Sequence, residues 1–265
     1  MKNRAVFMVI SLLISLLSYG CSANKLNGKV TGFKYIVEQA NEMEIKQWTK
    51  NKAPDPVIKK AKDKMQNKTD PNKKVYLTFD DGPDSTDTPI VLDILDSYGV
   101  KATFFVVGTN IEKNPELLKQ LVKRGHSIGN HTYNHRYNDV YSGIDGFLQS
   151  IKTNEDIIYN MTGVRPRVVR DPGGRVRNNL ELITALERQG YRLVDWNVDS
   201  YDSRKPYLTA PQIIENIRQQ SLNKNLWPGM VILMHDGQGH LNSARALPTI
   251  LEMLLNQGFK FEVLK

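Results

Sequence analysis

From residue 75 onward, apolar positions along this chain fall into two alternating patterns. Residues 75–79, 102–107 and 230–234 are nearly unbroken apolar runs of five or six residues, as expected of strands covered on both faces. Residues 88–98, 115–123, 144–161, 178–189, 210–220 and 244–256 place apolar residues at helical spacing, which predicts amphipathic helices. Gly99 stands just past the first of these, where helices favour glycine, and Pro115 opens the second with Gly125 beyond its end. Residues 125–130 read as a turn and a short strand, and 167–170, 191–197 and 259–263 as further strands. Seven strands alternating with six or more helices imply parallel pairing, in either a barrel-like closure or a doubly wound open sheet.

The amino-terminal part has a different texture. Met1-Lys2-Asn3-Arg4 precedes an apolar stretch from Ala5 to about Leu17, and a short basic region before an apolar core reads as a secretory signal over residues 1–20. That stretch is short for a lasting membrane span. Cys21 is the only cysteine, so no internal disulfide forms. Its place directly after Gly20 suggests lipidation of a mature first residue and membrane anchoring; the alternative is ordinary cleavage near Ala23 and secretion. Residues 21–72 read as a basic stalk, with short helices at 38–48 and 56–65 and a linker at 67–72. The domain proper is 73–265.

Charge follows the same division. Residues 21–74 hold 13 lysines against 6 acidic side chains, whereas residues 75–265 hold 21 basic and 22 acidic ones. The net charge of +8 therefore belongs to the amino-terminal segment and predicts no nucleic-acid partner for an exported chain. A basic stalk can be held near an anionic membrane or an anionic wall polymer.

Candidate chemistry clusters at strand ends. Asp80 and Asp81 emerge from the first strand into Gly82-Pro83, and strand alternation predicts that the two carboxylates point different ways. That division suits one metal ligand and one proton acceptor. His131 and His135, four residues apart, can face one metal. His235 ends the strand at 230–234. Loops after parallel strands build the site in α/β folds, so the three segments converge on one face.

Thr78 to Pro83, His131 to His135, Arg170-Asp171-Pro172-Gly173-Gly174, Asp199-Ser200-Tyr201-Asp202 and Leu233-Met234-His235, in that order, resemble the five motifs of the polysaccharide deacetylases, the NodB-homology group of carbohydrate esterases. The resemblance covers about residues 73–265. It implies a deformed (β/α) barrel with fewer than eight complete units. It further implies Asp81, His131 and His135 as metal ligands, Asp80 as general base and His235 as general acid. Arg170 would orient Asp80, and Asp199 would orient His235. Pro172, Gly173 and Leu233 would border the substrate, the Gly173 N–H meeting the developing oxyanion. Two departures stand out: many relatives carry an aromatic residue where this chain has Gly173, and often Trp where it has Ser203. Both remove an aromatic wall of the groove and bear on substrate preference.

The expected activity is metal-dependent removal of N-acetyl groups from a cell-wall polysaccharide, such as peptidoglycan amino sugars or chitin-like oligomers. Zinc suits the ligand set best, and cobalt, nickel or manganese also fit. The competing readings are an O-acetyl esterase of the xylan type and a non-catalytic wall-binding module. His126 is expected to be structural, His240 to line the site mouth, Trp196 and Trp227 to be core or groove walls, and Asp171 a loop carboxylate near the site.

Overall fold

The computed structural model describes residues 69–265. The signal segment, Cys21, the two stalk helices and the first part of the linker lie outside those residues. What is described of the linker is tied to the domain. The Asp70 N–H donates to the Gly258 carbonyl at 3.1 Å, and Lys73 Nζ sits 4.0 Å above the Trp227 ring.

Strand β1 (Lys74–Asp80) is the centre of the sheet. It pairs in parallel with β7 (Met230–His235) on one side. On its other side it pairs first with β8 (Lys260–Glu262) and then with β2 (Thr103–Val106). β3 (Ser127–Asn130), β4 (Val168–Val169) and β5 (Arg192–Leu193) continue outward from β2, and β6 (Val198–Asp199) flanks β7. Every pairing is parallel, so all strands release their carboxyl ends on one face. The helices are α1 (Asp87–Tyr98), α2 (Gly108–Lys113), α3 (Pro115–Lys123), α4 (Tyr137–Val140), α5 (Ile144–Thr162), α6 (Leu180–Arg188), α7 (Ala210–Ser221) and α8 (Leu241–Asn256).

One predicted strand is divided. Residues 191–197 read as a single strand, yet the register with β4 ends at Leu193, closed by the Val194 N–H on the Val169 carbonyl at 2.8 Å, and the register with β7 begins at Val198, preceded by the Asn197 N–H on the Val231 carbonyl at 3.2 Å. The two ends of the sheet path, β5 and β6, are thus joined by residues 194–197 alone. That tether spans at most about 18 Å, so the sheet curls until its edges face each other: a deformed barrel, open at one seam. The Arg170 side chain fills the seam. Its Nε donates to the Val194 carbonyl at 3.1 Å and Nη2 to the Asp195 carbonyl at 3.4 Å, serving backbone groups that no strand pairs.

Packing follows the alternation of β1. Val75, Leu77 and Phe79 are fully buried, as are Leu92 and Leu95 of α1 and Leu247 and Leu251 of α8. Phe79 stacks on Phe104 with ring centroids 5.1 Å apart. Each such side chain contributes about 1.5–3 kcal/mol by leaving water. Thr78 and Asp80, on the opposite face, are equally buried but polar, and they open the way to the site.

Candidate active site

Asp81 lies one residue past β1 with φ 71°, a left-handed conformation unusual for a residue with a Cβ. Asn110 Nδ2 holds its carbonyl at 2.8 Å. The next position must be glycine, because a Cβ on Gly82 would lie 2.5 Å from the Asp236 carboxylate oxygens. The backbone reversal corrects the alternation argument, for both carboxylates turn toward His131. Its Nε2 is 3.4 Å from Asp81 Oδ1 and 3.8 Å from Asp80 Oδ2.

The two imidazoles are placed by a tight loop after β3. Thr132 and His135 both have positive φ, 69° and 55°. Asn130 Oδ1 accepts the Thr132 N–H at 3.0 Å, and Thr132 Oγ1 the His135 N–H at 3.2 Å. His131 Nδ1 is 2.8 Å from the Arg170 carbonyl. A carbonyl only accepts, so Nδ1 carries a proton, and in the neutral ring the Nε2 lone pair faces Asp81. His135 Nε2 is 3.3 Å from the same oxygen.

That oxygen decides whether a cation fits. Asp81 Oδ1 is buried and has no hydrogen-bond partner, although it faces the Nε2 atoms of His131 and His135. A carboxylate oxygen confronting a bare imidazole lone pair is unfavourable unless something positive lies between them. The three ligand atoms lie within 4.8 Å of one another. The residues present fit a divalent metal, and three protein ligands leave further coordination positions open. Burial pushes the Asp81 carboxyl up, but positive charge on the His131, His235 and His135 imidazoles outweighs it and holds it well below the carboxylate range, so it is an anion. Burial pushes His135 down, toward the neutral form that ligates, whereas His131, also penalised by burial, is drawn up by Asp80 and Asp81, toward a positive charge at the place a cation would occupy.

Asp80 is held from the other side. Arg170 Nη1 donates to Asp80 Oδ1 at 2.8 Å and to Thr78 Oγ1 at 2.7 Å, and both Arg170 and Asp80 are buried. A guanidinium shared among a carboxylate, a hydroxyl and two carbonyls leaves Asp80 with one fixed orientation.

The register of β1 with β7 sets Asp80 beside His235. His235 has a different partner from the expected one. Its Nδ1 is 2.6 Å from Asp202 Oδ1, its backbone N–H donates to Asp202 Oδ2 at 2.8 Å, and Ser243 Oγ donates to that second oxygen at 2.6 Å. Asp199, expected to orient His235, is turned away. Its Oδ1 accepts the Tyr201 N–H at 2.7 Å, and Gln220 of α7 brackets its backbone. The physical reason is a turn in which Tyr201 takes φ 59°, so that Asp202 and not Asp199 points at β7. Burial pushes the His235 imidazolium down, but Asp202 more than reverses this and raises it to about 10.

The third motif forms the rim. Gly173 has φ 70°, and the Tyr137 hydroxyl lies 2.9 Å from where a Cβ on Gly173 would be. Tyr137 thus stands at the aromatic-free position, itself facing His135 at 5.8 Å between ring centroids. Pro172 and Leu233 are buried, the Pro172 carbonyl accepting from Tyr141 Oη. Asp171 braces the same loop, accepting from Tyr141 Oη and the Val176 N–H, both at 2.9 Å. His240 stacks on His235 with centroids 5.0 Å apart. His126 Nδ1 accepts the Ala102 N–H on a strand's opening side, and Trp196 lies against Arg177 and Gly174. Tyr137, and Asp202 within the fourth motif, are the positions beside the site to which motif reading gave no role. A cleft of about 710 Å³ opens over Asp81 and His135, with His240 on its wall.

A family model described as polysaccharide deacetylase matches residues 67–194. YheN of Bacillus subtilis (strain 168), named as a candidate polysaccharide deacetylase, is 34% identical over 267 residues, covering 98% of this chain and 89% of its own. The chain belongs to the polysaccharide deacetylase family. A peptidoglycan-N-acetylglucosamine deacetylase of Bacillus cereus is 39% identical over 193 residues, 72% of this chain and 66% of that relative. The chain spans only 38% of PgdA, the peptidoglycan-N-acetylglucosamine deacetylase of Listeria monocytogenes, at 33% identity. Among solved structures, the Bc1960 peptidoglycan N-acetylglucosamine deacetylase superposes with a TM-score of 0.65 at 38% identity, over 74% of this chain and 89% of that one. In this deacetylase-family chain, the curled parallel sheet is that of the family fold.

Proposed function

We propose that this chain is a metal-dependent hydrolase that removes N-acetyl groups from amino sugars of a cell-wall polysaccharide, peptidoglycan in particular. The observation that carries the reading is the unpartnered Asp81 oxygen facing two imidazoles, flanked by a carboxylate fixed on Arg170 and an imidazolium fixed on Asp202. Asp81, His131 and His135 would hold the ion, zinc by the donor set, which when bound polarises the acetyl carbonyl and makes water easier to deprotonate. Asp80 then accepts the proton of the attacking water, held in line by Arg170. The Gly173 N–H donates to the carbonyl oxygen as negative charge develops there. His235 gives its proton to the departing amine, which leaves poorly as an anion. Asp202 keeps that proton in place until it is needed and fixes it on the correct nitrogen. The products are acetate and a free amine.

Residues 73–265 are the catalytic unit in this reading. Residues 21–72 serve as a basic spacer toward anionic wall polymers or lipid, and the chain acts outside the cytoplasm, carried there by residues 1–20 and retained by a lipid on Cys21. Incubating the purified protein with a peptidoglycan-derived N-acetylglucosamine oligomer tests the activity. Acetate and primary amine should appear in equal amounts, and Asp80→Asn should abolish both. Acetate without new amine would point to an O-acetyl substrate and overturn the reading.

A further inference from the structure

The cleft over Asp81 and His135 also carries two cationic side chains that make no ion pair among the described residues. Lys113 ends α2 and Arg136 directly follows His135; both line the cleft and both are exposed. Among the described arginines, only Arg136 and Arg188 make no ion pair, guanidinium hydrogen bond or ring contact. Asp81, turned to the imidazoles, is the one acidic side chain in the cleft lining. Glu112 and Asp139, close to the pair in sequence, accept from Tyr133 Oη at 3.3 Å and from Asn134 Nδ2 at 2.7 Å and form no ion pair with Lys113 or Arg136.

The excess is local. Residues 75–265 hold 21 basic and 22 acidic side chains, so a cationic cleft is not what overall charge would put there. Arg136 moreover cannot drift far from the reacting group, because its backbone is continuous with His135. A guanidinium and an ammonium sharing one cleft suit a carboxylate, which Arg can grip with two parallel hydrogen bonds. A neutral glycan chain offers them nothing ionic.

Resting on the deacetylase reading, we infer that Lys113 and Arg136 form a subsite for a carboxylate carried by the glycan beside the sugar being deacetylated. In peptidoglycan that carboxylate has two sources, the lactyl ether of N-acetylmuramic acid and the acidic groups of stem peptides. The preference this confers is set by two exposed charges, so it is about tenfold and weakens with salt.

The test compares three substrates with the full metal-loaded chain: a neutral N-acetylglucosamine oligomer, a muramic-acid-containing glycan freed of peptide, and the same glycan with stem peptides. The native chain should favour the carboxylated glycans in kcat/KM. In the double variant Lys113→Ala with Arg136→Ala that ratio should fall about tenfold, mainly through KM, with Arg136→Lys intermediate. A loss seen already on the peptide-free glycan assigns the lactyl group, and one confined to the peptide-bearing glycan assigns the peptide. Calorimetric binding of the same glycans reads the subsite without turnover. A carboxylate preference in binding with no acetate released would contradict the deacetylase reading and keep the subsite. An unchanged ratio in the double variant, in both turnover and binding, overturns the subsite.

Discussion

His235 and Asp202 are joined twice, imidazole Nδ1 to one carboxylate oxygen at 2.6 Å and backbone N–H to the other at 2.8 Å. The double attachment fixes the ring's position and its tautomer together, leaving Nε2 as the proton carried toward the cleft. Ser243, in the first turn of α8, supports the same carboxylate, so the acid is braced by two elements of the fold.

Asp202→Asn should therefore lower kcat about a hundredfold. The pH profile gives the sign. His235 is raised to about 10 in the folded chain from an unfolded value near 6.5. Its proton, and the stability that goes with it, are fully present below about 6.5 and lost as pH rises through the folded value. Removing Asp202 lowers that folded value, so the alkaline limb of the rate profile should move to lower pH. Asp199→Asn should leave the limb where it is. The reverse result would return the orienting role to Asp199.

The two neighbouring carboxylates should separate by substitution. Asp80→Asn should keep the metal while losing about a hundredfold or more in rate, since an amide cannot take the water proton. Asp81→Asn should lose metal affinity, because its oxygen is the shared point of both imidazoles. Metal analysis beside turnover for each variant distinguishes the roles, and an exchange of the two outcomes would reverse them.

Arg170→Met should destabilise the fold as well as the site. The substitution leaves Asp80 charged and buried without its partner, a defect of about 3–5 kcal/mol, and frees the two carbonyls at the barrel seam. A melting temperature about 10 °C lower follows for a domain of this size. An unchanged melt would show that the seam does not depend on the guanidinium.

Much of this was legible in the chain, and the limits have physical causes. Strands buried on both faces announce themselves as apolar runs, so β1, β2 and β7 could be read directly. The division of residues 191–197 between two sheet edges could not, because it depends on how far the whole sheet curls. Asp199 ends β6 and Asp202 follows three residues later, and which of them reaches His235 rests on the positive φ at Tyr201, a choice that composition does not reveal. The positive φ at Asp81 defeats simple alternation in the same way. Tyr137 escaped notice because its role comes from the space that Gly173 leaves, a relation between loops far apart in sequence.

Beginning the chain at Thr69 should preserve turnover of a short soluble oligomer, since the described residues from Asp70 already bond to the domain. Binding to intact walls or anionic vesicles should weaken without the 11 lysines held between residues 21 and 68, and the difference should shrink as salt shortens the Debye length below about 8 Å. Loss of activity on the soluble oligomer would place part of residues 1–68 in the catalytic fold.

In the proposed reaction, acetyl hydrolysis requires a metal held by Asp81, His131 and His135. Elemental analysis of the purified chain, run beside acetate release from an N-acetylglucosamine oligomer, tests it directly. One divalent ion per chain should be found, activity should disappear with a chelator and return with zinc, and His131→Ala and His135→Ala should each lose both metal and activity. Acetate release at full rate from metal-free protein, or full metal occupancy and unchanged turnover in either variant, would contradict it.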